Sequence, residues 1–147
     1  MNRIKEKEIF GYLCEHPGST IYNITNALRP DIEGTKLYRT YCSHVGNVLR
    51  VASDNGMVLK DEKKKRFPEF TVNDSHTTPV NNEGIRLAMI LIFEDTDDKG
   101  ITFSNLLDKI WRDEKITREI MRDTRYQLNL LVGDGVVRPN GHLYHII

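Results

Sequence analysis

The sequence predicts a mainly α chain with small β-hairpins, an α+β fold in two similar halves, on three observations. Apolar residues recur at helical spacing in six stretches, three in each half. Each half then closes with a long amphipathic helix, a glycine stop and two short runs rich in β-branched or aromatic residues. Finally, the halves can be laid on each other. At an offset of 79, Leu49 falls on Leu128, Gly56 on Gly135 and Val58 on Val137. At an offset of 82, Gly18 falls on Gly100, Thr20 on Thr102 and Asn23 on Asn105. Two copies of one supersecondary pattern follow, with the three-residue difference absorbed in the turn before the third helix.

Taken in order, residues 4–15 read as a first helix with Ile9, Phe10 and Leu13 inward, ended by Pro17-Gly18. A short extended piece leads to a second helix over 22–28, burying Ile24, Ala27 and Leu28. Residues 29–35, with Pro30 and Gly34, form the turn. In the third helix Leu37, Tyr41, Val45, Val48, Leu49 and Ala52 make one apolar stripe. Lys36, Arg39, Ser43, Asn47 and Arg50 lie opposite. Asn55-Gly56 stops this helix, because glycine takes the left-handed cap conformation cheaply. Residues 57–59 read as a strand and 60–66 as a charged turn, with Phe67, Phe70 and Val72 on the return strand. This completes a first domain, 1–73. Residues 74–82 are polar and aperiodic, a linker to a second domain over 83–147. There a helix spans 83–93, and an extended piece covers 100–103. Ser104 caps a helix over 105–111, and a long helix over 115–132 ends at Gly133-Asp134-Gly135. Val136-Val137, the tight turn 139–141 and a return strand to Ile147 finish the chain.

A helix with a polar outer face, then a hairpin with a basic tip, resembles the recognition helix and wing of the winged helix-turn-helix family. The resemblance covers nearly the whole chain as tandem winged helix domains, each of three helices and a two- to three-stranded wing sheet. It rests on element order and spacing. It implies a transcriptional regulator that binds double-stranded DNA by inserting the third helix into the major groove. Arg39 or Arg50 would then reach guanine and Asn47 adenine, each bidentate contact worth about 1–3 kcal/mol of discrimination. Lys36 and Ser43 would sit near phosphates, with His44 flanking them. Lys63, Lys64, Lys65 and Arg66 would grip the backbone through the wing, with contacts that weaken as salt rises. The bland alternatives are a solvated helix face and a lysine-protected sheet edge.

In the second domain Lys115, Arg118, Arg122, Arg125 and Tyr126 form a second DNA or partner face. Glu119 and Asp123 stand at helical spacing beside it, so a salt-bridged solvent face is the other reading. Its wing is about four residues long with a single Arg138, unlike the family's pattern. Residues 87–93, LAMILIF, are apolar nearly all round the helix, which a homodimer contact or packing between the halves would each explain. The runner-up function is a protein-interaction scaffold without DNA binding, resembling the tandem winged helices of ESCRT-II subunits or of transcription-machinery accessory subunits.

Composition bounds these readings. Net charge is zero, which disfavours strong nonspecific polyanion binding, although residues 1–75 carry 12 Lys and Arg against 10 acids. The longest apolar run is far short of the roughly 20 residues that span a bilayer. The first ten residues lack an apolar signal core, which points to a cytoplasmic protein with no membrane partner. Cys14 and Cys42 stand far apart with no metal-ligand motif, and read as reduced thiols. No phosphate loop, nucleophile elbow or paired-carboxylate motif is present, so no enzyme, cofactor, metal or effector pocket is expected.

Overall fold

The computed structural model describes residues 4–62, 67–75, 77–96, 99–112 and 114–147. Among them are six α-helices and two small antiparallel sheets, an α+β chain divided into two compact units, Met1–Thr77 and Thr78–Ile147.

In the first unit α1 (Glu6–Glu15) and α2 (Ile21–Leu28) bury Ile9, Leu13 and Ile24. Ile4 is buried as well, yet it precedes α1 rather than opening it. A reciprocal capping box starts α2. Thr20 Oγ1 accepts from the Asn23 N–H at 3.1 Å, and Asn23 Oδ1 accepts from the Thr20 N–H at 3.0 Å. After a 3-10 turn (Pro30–Ile32) comes α3 (Tyr38–Asp54), burying Tyr41, Val45, Val48, Leu49 and Ala52. Strands β1 (Val58–Asp61) and β2 (Glu69–Val72) pair with Val58 opposite Val72 and Asp61 opposite Glu69. The hairpin is also tied to the α1–α2 connection. Gly18, at φ 80°, donates its N–H to Phe70 O at 3.0 Å, and the Phe70 N–H donates to Ser19 O at 2.8 Å.

In the second unit Asn81 Oδ1 caps α4 (Asn82–Asp95) by accepting from the Gly84 N–H at 2.8 Å. Next come β3 (Ile101–Thr102), α5 (Phe103–Trp111), α6 (Arg118–Gly133), β4 (Val137–Asn140) and β5 (Leu143–Ile146), with sheet order β3-β5-β4. Met89, Phe93, Leu106, Ile110, Leu128 and Leu131 are central to its core. Inside it the Trp111 indole N–H donates to Thr124 Oγ1 at 3.1 Å, and the Thr124 hydroxyl donates to Ile120 O at 2.6 Å.

The repeat is written in the backbone bonds. Both third helices end in the same Schellman pair: Gly56 N–H to Ser53 O with Met57 N–H to Ala52 O, and Gly135 N–H to Val132 O with Val136 N–H to Leu131 O. Gly56 and Gly135 have φ of 75° and 76°. Thr20 and Thr102 cap the second helices alike, and the Ser19–Phe70 bridge matches the pairing of Ile101 with Tyr144.

Three more helix starts differ from the expected ones, two because another residue caps the helix and one because a turn precedes it. Thr102, not Ser104, caps α5, accepting from the Asn105 N–H at 3.2 Å, which leaves Ser104 inside the first turn. Thr117 caps α6 at the Ile120 N–H (3.1 Å), so Lys115 precedes the helix. Thr35 is held in a turn, its hydroxyl donating to Ile32 O at 2.6 Å, so Lys36 lies before α3.

Candidate nucleic-acid interface

On α3 the apolar stripe from Tyr41 to Ala52 is buried, while Leu37 precedes the helix and is exposed, and the rotation of the stripe fixes what faces outward. Arg39, Ser43, Asn47 and Arg50 are all exposed, spaced so that they share one face over three turns. Lys36 is exposed in the preceding turn. Arg50 lies 3.6 Å from Asp54 at (i, i+4), with both side chains more than half exposed. Such pairs contribute only about 0.3–0.5 kcal/mol, little enough for a phosphate oxygen to replace the carboxylate. Lys60, on β1, is similarly paired with Glu62 at 3.2 Å. Lys63, Lys64, Lys65 and Arg66 lie outside the described residues.

His44 has a different place from the one the sequence suggested. It is half-buried, and its Nε2 lies 2.9 Å from Ile4 O. A carbonyl only accepts, so this nitrogen carries the proton and pins the segment before α1 onto α3. A second brace is the ion pair of Arg29 with Glu8 at 3.1 Å. Burial raises the Glu8 carboxyl pKa, but the Arg29 hydrogen bond, the Lys5 backbone N–H and both positive charges outweigh it. The net value lies below the ordinary 4.5.

Sequence reading missed an aromatic pair beside this face. Tyr22, in the first turn of α2, and Phe67, just before β2, meet edge to face with ring centroids 5.2 Å apart at 87°. They are 44% and 47% exposed. The two rings are 45 residues apart in the chain, so no local pattern announced their contact.

On α6, Arg118, Arg122, Arg125, Tyr126 and Asn129 face outward, and Lys115 is exposed before the helix. Two of these arginines are engaged within the unit. The Arg125 guanidinium sits 3.8 Å from the centroid of the Phe103 ring, and its Nη1 donates to the Tyr144 hydroxyl at 3.2 Å. Arg122 Nε lies 3.4 Å from Asp123 Oδ1. Met121, Tyr126 and Leu130 add exposed apolar surface to the same helix.

Elsewhere in this unit a cleft of about 470 Å³, open to solvent, is walled by the ends of α4 and α5, with Asp95, Lys109 and Arg112 on its rim. Its lining comes from separate elements, so no local pattern announces it. Residues 87–93 are turned largely into the unit's own core: Met89, Ile90 and Phe93 belong to it, and Ala88 and Ile92 pack against it.

Among the described residues no three His, Cys, Asp or Glu side chains gather as a metal site, and no helix is long and apolar enough to cross a membrane. Cys14 and Cys42 are free thiols. Fold and surface together define a class: an α+β chain of two helix–hairpin units, each presenting a basic, outward-facing third helix. No family model, curated protein or solved structure matches the chain.

Proposed function

We propose that this chain is a tandem winged helix protein that binds double-stranded DNA through its first unit and acts as a transcriptional regulator. The observation that carries the reading is the exposed row Arg39, Ser43, Asn47 and Arg50 on one face of α3. Guanidinium and carboxamide groups on one helix face supply phosphate contacts and the forked donors that read guanine and adenine edges. Lys36 extends the row toward the backbone, and the hairpin, braced to the α1–α2 connection, follows it as a wing. His44 is removed from the contact set, because its ring already holds Ile4 O.

The test is fluorescence anisotropy with random-sequence duplex across a salt series, with Arg39→Ala and Arg50→Ala alongside. The expected outcome is a Kd of about 1–100 μM at physiological salt, steeply salt-dependent and weakened in both variants. Absence of binding at low salt, or binding indifferent to both changes, overturns the reading.

A second reading, a protein-interaction scaffold, is favoured for the second unit by one observation. Arg125 is occupied within the unit, while Met121, Tyr126 and Leu130 expose apolar surface. Tyrosine beside aliphatic side chains suits a protein contact. A homodimer through residues 87–93 has less support, since Met89, Ile90 and Phe93 already fill the unit's own core.

A further inference from the structure

The Tyr22–Phe67 pair calls for an occupant. Two rings meeting edge to face use at most one of their four ring faces, and both side chains remain nearly half exposed. Charges of both signs surround them: Phe67 directly follows Lys63-Lys64-Lys65-Arg66 in the sequence, and Asp61, Glu62 and Glu69 lie on the same hairpin. A Cβ added to Gly46 would lie 3.4 Å from Ile21 Cδ1, so the first turn of α2 abuts the middle of α3. Gly46 is one helical turn from Arg50 and lies on the same edge as Arg39 and Arg50. On the hairpin side stands Lys60, whose acid, Glu62, forms only an exposed pair. Aromatic faces beside arginines and lysine are what a base and its phosphate require together.

A base within intact duplex cannot use those faces, because both its own faces are stacked. Resting on the DNA-binding reading above, we infer that the ligand of this site is DNA with unpaired nucleotides beside a duplex, such as a fork or an overhang. The duplex lies along α3, and the first unpaired base stacks on Tyr22 or Phe67. A protein segment is the other class of occupant for an aromatic pair, and the arginines along α3 select nucleic acid over it.

The test compares three DNAs of one sequence: a blunt duplex, the same duplex with a forked end, and the single strand. The fork carries 2-aminopurine at its first unpaired position, because stacking on an aromatic ring quenches that base directly. The proteins are the full chain, Tyr22→Ala, Tyr22→Leu and Phe67→Leu, the leucines keeping the apolar bulk that alanine removes. The expected result is tighter binding to the fork than to the blunt duplex by about fivefold or more, with 2-aminopurine quenching. Both effects should be lost in Tyr22→Leu and Phe67→Leu while blunt-duplex affinity stays unchanged.

Equal affinity for fork and blunt duplex in the unaltered chain overturns this inference and leaves the DNA-binding reading standing. So does a loss of equal size on both DNAs in the variants, which would make the pair a brace for the hairpin. No binding to any of the three DNAs overturns both.

Discussion

At the crossing of the second and third helices the two units solve one packing problem in opposite ways. In the first, Gly46 of α3 lets Ile21 of α2 come close, a Cβ being only 3.4 Å from Ile21 Cδ1. In the second, the position equivalent to Gly46 is Arg125 and the one equivalent to Ile21 is Phe103, and the guanidinium covers the ring at 3.8 Å. Bare backbone against an aliphatic tip makes that crossing in the first unit without using an arginine. A cation over a ring spends an arginine on internal support. The same crossing therefore leaves one helix face suited to an outside anion and makes the other partly self-satisfied.

That comparison can be broken at several strengths. Leu49 and Leu128 occupy equivalent, fully buried positions, and replacing either by alanine should cost about 2–5 kcal/mol. Leu128→Ala should lower the urea midpoint followed by fluorescence of the single tryptophan, Trp111, and Leu49→Ala should reduce amide protection in the first unit. A much smaller cost at one site would mean that the two cores are not equivalent.

Thr124→Val leaves the buried Trp111 N–H without its acceptor and should cost about 1–3 kcal/mol, read from the same fluorescence transition. Position 45 of the first unit, its counterpart, is Val45, already apolar, so no analogous loss exists there.

The crossing itself predicts effects of opposite sign. Arg125→Ala should destabilise the second unit by about 0.5–1 kcal/mol, as the ring and the Tyr144 hydroxyl lose their partner. Gly46→Ala should be neutral to stabilising by up to about 1 kcal/mol, helix propensity outweighing a contact that Ile21 can relieve by a small shift. Urea denaturation of the two variants checks both; destabilisation by Gly46→Ala would show that the close approach cannot relax.

The smallest effect concerns pH. The folded-state pKa of Glu8 is depressed, so the stability it contributes is present above 4.5 and is lost as pH falls through the lower folded value. Arg29→Ala should flatten that acid-side decline in the first unit. An unchanged pH profile would remove the ion pair from the account.

Much of the architecture was legible because it depends on residues that act locally. Glycine at a left-handed stop and threonine at a cap work through their own turn, so Gly56, Gly135, Thr20 and Thr102 announced the repeat at fixed offsets. The errors have the same origin. Thr102 and Ser104 can each cap a helix, and only the tertiary path of the chain through β3 selects Thr102. The α3 face was legible because one buried stripe fixes the opposite side. His44 was misread because its partner, Ile4 O, is remote in sequence, and Tyr22 with Phe67 escaped notice for the same reason.

The bonds from Gly18 and Ser19 to Phe70 also bear on the order in which the first unit forms. The related bond from the Gly18 N–H to Thr71 Oγ1 spans 53 residues, so it closes only after the intervening helices have brought the chain ends together. A hairpin secured by such distant partners should not fray on its own. Exchange of the Phe70 amide, whose N–H lies 2.8 Å from Ser19 O, should therefore follow the global opening of the unit.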